Sequence, residues 1–395
     1  MSESRPKISS AEIDGWPKTV NMDNSVAGIC VSPEAGRIIS YSFHCGENLL
    51  FVNRSELGKI PEKDSAEWIN FGGIRLDLAP QSFWAKSPWG KSWPPPPILN
   101  SEPWSLSCYD HVIEMLSVPD LKFLGIQISV RIGLIKSSSI VRIDSTIKNI
   151  TEVPLTLANW IVVQLAAISG ESEIYLPAPS GDSRFSKGYS LQMGSQSVKP
   201  AISSDISTLP VSIVYCALER KFGFDLREWI VFRKSGESEI CFALWGDFDA
   251  AGSYPDDNSH IELYFSEGMP YVELEMLGLM RSVEAGGSIS DNFKFAAATC
   301  SGKVVELGEW GVACEPIRID KNSVKGRLGL FYEGFLVLSE LDNNGDKVEI
   351  ARLPVSPREE CSLDFQLSDD ISLGSILVEI EQKSDLAKRI FVKKL

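Results

Sequence analysis

Short runs that alternate between apolar and polar residues recur along most of this chain, and they constrain its fold more than any other feature. The segments HVIEMLSV, IQISVRIGLI and SIVRIDSTIKNI, all between residues 108 and 156, have a period of two and are broken at Pro119-Asp120 and at residues 136–139. Successive side chains of a β-strand point to opposite faces of the sheet, so this period predicts strands. The 3.6-residue period of an amphipathic helix is hard to find. The sequence therefore predicts an all-β protein.

The same reasoning extends to both sides of this region. Residues 26–55 are typical of hairpins, with turns at residues 33–36 and 46–48. The run LTLANWIVVQLAAI, residues 155–168, is apolar enough for a strand that is covered on both faces. Residues 171–211, rich in Ser, Gly and Pro, predict irregular excursions between sheets. The remaining strand-like runs are IVYCALE, WIVFRKSG, SEICFALWG, HIELYFSEG, YVELEMLGLM and SISDNFKFAAAT.

The chain length predicts two folded units. A single hydrophobic core usually stops growing at roughly 250 to 300 residues, and this chain has 395. The strand signals close with FKFAAAT and restart with their own turns, including one at residues 342–345, so we expect a boundary near residue 304. Residues 1–304 would form the large domain. Residues 305–395 would form a small all-β, sandwich-like accessory domain.

Charge and cysteine usage limit the partners and the compartment. A formal net charge of −15 disfavours nucleic acid and anionic membranes, because both would be repelled, and it leaves small neutral ligands as the easier partners. The first residues lack the apolar core of a signal peptide and no segment is apolar enough to span a bilayer, so we expect a cytoplasmic protein. Eight single cysteines without a CxxC pair predict reduced, buried thiols and no zinc site. Without a P-loop or a GxGxxG motif, no cofactor is expected.

Residues 68–104 hold five of the ten tryptophans and a run of four prolines. The alternation at the start of this stretch places Arg75, Asp77 and Gln81 on one face of a strand, where guanidinium and carboxylate groups can pair or bind vicinal hydroxyls. After them, residues 94–97 predict a stiff surface loop that presents aromatic faces suited to sugar rings. The alternative is that the tryptophans pack a long loop onto a sheet.

A pair of carboxylates offers the clearest candidate chemistry. In YVELEML, Glu273 and Glu275 project from one face of a predicted strand, while the residues between them pack on the other. Two neighbouring carboxylates shift each other's pKa, so one of them could act as a general base if this face lines a cleft. If the face is exposed, the pair is only a solvated edge. The acidic loop from Asp247 to Asp257 does not match a calcium-binding loop and predicts a turn.

Several segments carry a resemblance to a known family. They are GRIISYSFHCGENLLFVN, WINFGGIRLDLAPQ with the Trp/Pro stretch, YPDD, and YVELEMLGLM with the glycines at 286 and 287. Together they resemble a bacterial family of unknown function in the galactose mutarotase-like superfamily. The resemblance covers roughly residues 26–298 and leaves the C-terminal part outside. It implies a β-supersandwich, two large antiparallel sheets whose concave face holds a carbohydrate cleft.

The resemblance also implies roles for individual residues. Aldose 1-epimerases of this superfamily open a hexose ring with a glutamate base and a histidine acid. Glu275 resembles the glutamate, and Arg75 stands in the place of the substrate-binding arginine. The strand that usually reads Leu-Thr-Asn-His resembles residues 157–160 here, so Trp160 would replace the histidine. Indole cannot donate a proton in this role, which argues against ordinary mutarotase activity.

Three hypotheses for the function follow. The first is a carbohydrate-binding protein, for which the candidate residues are Trp84, Trp89, Trp93 and Trp160 for stacking and Arg75, Asp77, Gln81, Glu273 and Glu275 for polar contacts. The second is a sugar-active enzyme, either an epimerase-like isomerase or a lyase or hydrolase, that uses Glu275 with Glu273 as catalytic residues. The third is a structural scaffold without a ligand.

Overall fold

Strands account for most of the structure, a computed structural model that describes residues 6–13, 15–62, 65, 67–100, 102–194, 210–234, 239–320, 323–341, 346–367, 376–382 and 390–394. Within these ranges no helix has the length and the apolar character needed to cross a bilayer. The helices described are short: α1 (Gln81–Lys86), α2 (Pro97–Asn100) and α3 (Pro255–Asn258). The prediction of an all-β protein is confirmed.

Many strands coincide with predicted runs, whereas β1, β2, β11, β12 and β14 lie outside them. All are numbered along the chain. In chain order they are β1 (Lys7–Ile13), β2 (Trp16–Asp23), β3 (Ala27–Ser32), β4 (Arg37–Phe43), β5 (Ile74–Ala79), β6 (Ser105–Tyr109), β7 (Val112–Leu116), β8 (Ile126–Leu134), β9 (Val141–Asn149), β10 (Leu155–Ala166), β11 (Glu173–Leu176), β12 (Ser190–Met193), β13 (Val211–Val214), β14 (Arg220–Phe224), β15 (Trp229–Lys234), β16 (Ile240–Gly246), β17 (Ile261–Phe265), β18 (Tyr271–Leu277), β19 (Arg281–Val283), β20 (Ser288–Thr299), β21 (Glu306–Gly308), β22 (Gly311–Asp320), β23 (Ser323–Leu330), β24 (Gly334–Leu341), β25 (Lys347–Val355), β26 (Glu360–Gln366), β27 (Ile376–Gln382) and β28 (Ile390–Lys394).

Two large antiparallel sheets hold most of these strands. Over the described residues, the first sheet has the order β1-β2-β3-β4-β5-β10-β18-β17-β14-β12, with β19 also paired to β10, and the second has the order β13-β11-β15-β16-β20-β9-β8-β7-β6. Their inner faces share one hydrophobic core. Tyr41 of the first sheet, for example, meets Phe242 and Phe295 of the second in edge-to-face contacts, with ring centroids 5.8 and 4.9 Å away. As predicted, β10 lies at the centre and is buried on both faces.

The C-terminal strands form two smaller sheets. In the part of the chain that the structure describes, their orders are β21-β22-β23-β26 and β25-β24-β27-β28. A second hydrophobic cluster joins them to the outer face of β16 and β20, where Trp245 stacks on Phe331 with ring centroids 5.6 Å apart. The predicted boundary at residue 304 falls between β20 and β21, and independent folding of the two parts stays a prediction. The turn predicted at residues 342–345 lies outside the described residues.

The Trp/Pro stretch differs from its prediction. The strand β5 ends at Ala79, because Pro80 has no N–H to donate to the sheet, so Gln81 begins helix α1 instead of continuing the strand face. The predicted surface loop at residues 94–97 is wrong for residues 95–97, which are buried, and helix α2 begins at Pro97. Proline is favoured in the first turn of a helix, where Pro97 lies, and its apolar ring is buried there. In residues 171–211, predicted as irregular, β11 and β12 form.

Candidate functional site

Polar side chains form two rows across one face of the central strands of the first sheet. In the first row, Arg75 pairs with Val162, Val162 with Glu275, and Glu275 with Glu262. Directly paired residues in antiparallel strands project to the same face, so these side chains lie side by side. Gln164, Glu273, Tyr264 and Lys221 form the second row in the same way, on strands β10, β18, β17 and β14.

The opposite face of the same strands is apolar. Leu76, Ile161 and Met276 are paired neighbours on β5, β10 and β18, and all three belong to the main core. The alternation in the sequence thus buries one set of side chains between the two sheets and places the charged set on the other face. We name that charged set, from Arg75 across to Lys221, the polar face of the first sheet.

An ion-pair cluster around Arg75 occupies one end of the polar face. The Nε of Arg75 lies 2.9 Å from Asp77 Oδ2, and its Nη1 lies 3.2 Å from Glu273 Oε1. Gln164 Nε2 also donates to Glu273 Oε1, at 2.6 Å. The side chains of Arg75 and Asp77 are only 4% and 1% exposed, so water screens the pair little. The prediction that Arg75 and Asp77 share a strand face is confirmed by this pair.

A second cluster surrounds Glu275 at the other end. Its Oε2 accepts hydrogen bonds from Trp160 Nε1 at 2.9 Å and from Lys221 Nζ at 3.0 Å. Lys221 Nζ also lies 2.6 Å from Glu262 Oε2 and 4.7 Å from the centre of the Trp160 ring. Gln192 Nε2 donates to the other Glu262 oxygen at 2.6 Å. Trp160 therefore positions the Glu275 carboxylate through its N–H group, while its ring lies against Lys221.

Lys221 and Glu262 were missed by the sequence analysis. Glu262 lies in the recognised strand run HIELYF, and the period of two placed it opposite Ile261 and Leu263. Lys221 lies in β14, which was not recognised as a strand, although RKFGF carries a short alternation. The signal that could have found them is an acidic and a basic residue at the polar positions of otherwise apolar strands.

Burial changes the proton affinities of this face. It raises the pKa of Glu275 to about 8, with the neighbouring Glu262 and Glu273 adding to the rise and Lys221 opposing it. Burial also raises the pKa of Asp77, although Arg75 opposes that shift. For Arg75 burial favours the neutral form, but Asp77 and Glu273 more than offset it and raise the pKa. Burial thus shifts the pKa of the Glu275 carboxyl group toward neutral pH.

The four tryptophans predicted to stack on a ligand have different environments. Trp84, Trp89 and Trp160 are buried in the main core, where Trp84 stacks on Trp160 with ring centroids 6.1 Å apart. Trp93 is 49% exposed and packs on Trp68, with ring centroids 4.7 Å apart. For Trp84 and Trp89, the structure matches the alternative in which tryptophans pack a loop onto a sheet.

Trp68 connects Trp93 to the polar face, because the guanidinium carbon of Arg75 lies 5.4 Å from the centre of the Trp68 ring.

Trp89 and Gln81, by contrast, contact groups outside the polar face. Trp89 meets Phe123 edge-on at 5.0 Å, and Gln81 Nε2 donates to the carbonyl of Ser92 at 2.6 Å. The site residues brought together are therefore Arg75, Asp77, Glu273, Glu275 and Trp160, with Trp93 reached through Trp68.

Two buried acceptors on the polar face lack partners. Within the described residues, Asp77 Oδ1 and Gln164 Oε1 are buried and have no hydrogen-bond partner. A buried acceptor without a donor costs about 1 to 3 kcal/mol, so each such atom in a folded protein calls for a reason. Both atoms belong to side chains of the Arg75 cluster, next to Glu273. This end of the polar face can therefore accept two further hydrogen bonds.

The histidines do not supply an acid to this face in any described contact. His44 pairs with Asp23 at 2.9 Å in an exposed position, and His111 Nδ1 bonds the carbonyl of Pro6. His260 is buried against Tyr254 and bonds the carbonyl of Arg227, and burial lowers its pKa to about 4. His260 is therefore neutral at pH 7.

No protein-family model and no curated protein matched the sequence. Solved structures are similar to the chain at low identity. A protein from Synechocystis is 14% identical, has a TM-score of 0.46, and is matched over 76% of this chain and 98% of its own. A galactose mutarotase-like protein from Lactobacillus casei has 9% identity, a TM-score of 0.47, and coverage of 71% and 99%. Another from Clostridium acetobutylicum has 10% identity, a TM-score of 0.47, and coverage of 76% and 100%. At these levels the similarity implies no activity.

Proposed function

We propose that the protein binds a carbohydrate on the polar face of the first sheet, beside Arg75. The observation that carries this proposal is the pair of partnerless buried acceptors, Asp77 Oδ1 and Gln164 Oε1, within the Arg75 cluster. Sugar hydroxyls are donors that would satisfy them, and Arg75 and Glu273 can hold vicinal hydroxyls in a fixed orientation. A sugar also has an apolar C–H face, which can pack on an aromatic ring.

The aromatic pair of Trp68 and Trp93 is the stacking surface in this proposal. Trp93 is about half exposed, and Trp68 lies against both Trp93 and the Arg75 guanidinium. A few convergent polar groups beside an aromatic surface is the composition typical of small-molecule sites. The net charge of −15 also favours a neutral ligand over an anionic one.

Trp93→Ala is expected to weaken sugar binding about 2- to 10-fold, since an aromatic contact contributes about 0.5 to 1.5 kcal/mol beyond its buried area. The fold should be retained, because Trp93 is about half exposed and lies outside the main core. Titrations of intrinsic fluorescence and melting temperature with a panel of mono- and oligosaccharides measure the effect. Tyr109→Ala, which removes an exposed ring on β6 of the second sheet, is the control and should bind as the unmodified protein does. If no sugar changes emission or melting temperature at millimolar concentration, the proposal fails.

A sugar-active enzyme is the second candidate, and the environment of Glu275 favours it. A carboxyl group with a pKa of about 8 holds its proton at neutral pH and yet loses it readily, which suits proton transfer to and from a hydroxyl. Lys221, 3.0 Å from Glu275 and raised in pKa by the carboxylates around it despite its burial, would stabilise the anion formed. An epimerase-like isomerase and a lyase or hydrolase both fit this arrangement.

Under this second candidate, Glu275→Gln abolishes any sugar turnover, because the amide keeps the size of the side chain but cannot transfer a proton. We also expect the unmodified protein to be a poor galactose mutarotase. A general acid is worth about 10² to 10⁴ in rate, and Trp160 stands where the histidine acid is expected. Polarimetry of freshly dissolved α-galactose and α-glucose tests both expectations.

A matched variant controls for simple loss of structure. Glu379 is also buried and paired to a lysine, with Lys347 Nζ at 2.7 Å, but it lies in the C-terminal sheets. Glu379→Gln should therefore keep any turnover. Rapid catalysed mutarotation would overturn the expectation for Trp160, and full turnover in Glu275→Gln would overturn the assignment of the base.

The burial of the charged side chains on the polar face favours the third candidate, a scaffold without a ligand. Glu275 is only 1% exposed, and its described partners leave it well bonded. A scaffold predicts that the polar face contributes to stability and binds nothing. The sugar panel separates this candidate from the first two.

A further inference from the structure

Three potential metal ligands meet where the last long strand of the second sheet joins the C-terminal strands. Cys300 directly follows β20, Cys314 lies in β22, and Glu360 begins β26. The two sulfur atoms and a carboxylate oxygen all lie within 4.8 Å of one another. Cys300 is buried, and the other two are half-buried. The cluster shares no residue with the polar face and plays no part in the function proposed for it.

Strand irregularities aim these side chains at one point. The pairing of β22 with β23 shifts between Ala313 and Glu315, so Cys314 is the extra residue of a β-bulge. A bulge turns a side chain away from its regular direction and commonly adjoins functional sites. On the next strand, Gly329 pairs with Glu360, and a Cβ on Gly329 would come within 3.0 Å of the Cys300 Cβ. The absent side chain lets Cys300 approach this strand.

The spacing of the three groups fits a tetrahedral zinc ion. Zinc binds sulfur at about 2.3 Å and carboxylate oxygen at about 2.0 to 2.2 Å, which places neighbouring ligands about 3.5 to 3.8 Å apart. Cys314 Sγ lies 3.9 Å from Glu360 Oε2. All three ligand atoms lie within 4.8 Å of one another, so binding would require a contraction of up to about 1 Å. Cys314 and Glu360 are half-buried, so their exposed parts give the ion a path into the site.

Glu360 is already held in the direction that a ligand needs. Its Oε2 accepts hydrogen bonds from Ser301 N at 2.5 Å and from Ser301 Oγ at 2.8 Å. Metal-binding carboxylates are usually fixed by such outer hydrogen bonds, and loss of one typically lowers metal affinity. These two bonds engage both lone pairs of Oε2, so Oε1 is the oxygen with lone pairs left for a metal.

A cation lies beside the cluster. Two thiolates and one carboxylate carry three negative charges, and a divalent cation leaves one. The Arg327 guanidinium, which also pairs with Glu315 at 2.8 Å, places its Nη1 3.6 Å from Glu360 Oε1 and 3.2 Å from Ser301 Oγ. Zinc binds thiolates, so binding would release the protons of the two thiols.

We propose that Cys300, Cys314 and Glu360 form a zinc site that ties the second sheet to the C-terminal strands. Two thiolates select a borderline-soft ion such as zinc over magnesium or calcium. The three protein groups occupy three tetrahedral positions, and solvent takes the fourth. This departs from the sequence-based expectation of no zinc, because ligands at positions 300, 314 and 360 have none of the short spacings of zinc motifs.

Zinc loading of the full chain tests the site. The reduced protein, prepared without chelators, is loaded with zinc sulfate, dialysed and analysed by mass spectrometry for metal content. We expect about one zinc ion per chain in the unmodified protein and in Cys361→Ser, the control, which changes a buried thiol next to Glu360 that is outside the cluster. Cys300→Ser and Cys314→Ser should retain only background zinc. Ser301→Ala should lower zinc affinity by about 10-fold in competition with a chromophoric chelator.

Cobalt gives a second readout that does not depend on how well a variant binds zinc. Cobalt in the unmodified protein should show the near-ultraviolet thiolate-to-cobalt band and the intense visible bands of tetrahedral coordination, and both should be lost in Cys314→Ser. Cys314 is only half-buried, so this variant tests the site even if Cys300→Ser fails to fold. Absence of zinc from the unmodified protein, equal zinc in Cys314→Ser, or a Cys300–Cys314 disulfide in place of the metal would each overturn the proposal.

Discussion

Arg75→Ala is expected to lower the free energy of unfolding by about 3 to 5 kcal/mol, the range typical when one partner is removed from a buried ion pair. The substitution leaves the carboxylates of Asp77 and Glu273 without their cation in a site that is almost closed to water. Their mutual repulsion then adds to the cost of burial. Urea denaturation, followed by far-ultraviolet circular dichroism, measures the change.

The chain provides a closely matched control on the second sheet. Arg142 and Asp144 have the same spacing on β9, and their ion pair has a similar length, 2.9 Å, but the two side chains are 54% and 38% exposed. Exposed pairs contribute about 0 to 1 kcal/mol, so Arg142→Ala should have little effect. Equal effects of the two substitutions would show that burial of the Arg75 cluster does not govern its contribution.

The second large effect is a dependence of stability on pH that originates at Glu275. Burial raises the pKa of this carboxyl group from 4.5 to about 8. Between these two values the folded protein binds more protons at Glu275 than the unfolded chain does, so its contribution to stability falls as pH rises. That contribution is fully present below pH 4.5 and is lost by about pH 8. The loss is on the order of a few kcal/mol.

Glu275→Gln removes this titration. The difference in unfolding free energy between the unmodified protein and the variant should therefore shrink or reverse as pH rises from 5 to 8, measured by urea denaturation at each pH. Val272→Ala is the control on the same strand, because it removes buried apolar surface and no ionisable group. It should lower stability by a similar amount at every pH. Parallel curves for the unmodified protein and Glu275→Gln would contradict the raised pKa.

Local patterns in the sequence predicted many of the strands and the faces of the best-defined ones, although β1, β2, β11, β12 and β14 were not recognised. The period of two in YVELEML places Glu273 and Glu275 on one face and the apolar residues on the other, as observed in β18. The same rule predicted that Arg75 and Asp77 share a face of β5, where they form an ion pair. Strand geometry is fixed by neighbours in the chain, so a short segment carries this information.

The sequence did not distinguish tryptophans of the core from tryptophans at the surface. Trp84, Trp89 and Trp93 lie within ten residues of one another, yet the first two are buried and Trp93 is about half exposed. An indole ring has both a large apolar surface and one polar N–H, so its composition suits a core position and a ligand contact equally well. The sequence analysis also placed Gln81 on the face of β5 that carries Arg75 and Asp77. Pro80 ends the strand just before Gln81, so this side chain does not continue that face.

The members of the polar face were decided by pairing between strands far apart in the chain. Lys221 reaches Glu275 because β14, β17 and β18 are neighbours in the sheet, and Arg75 meets Glu273 across 198 residues. The thiols of Cys300 and Cys314 meet Glu360 through another set of pairings. Strand order and register depend on the packing of the whole core, so no local spacing encodes them. The same packing sets how deeply each charge is buried and hence its pKa, while the alternation of residues decides only which face of a strand each side chain occupies.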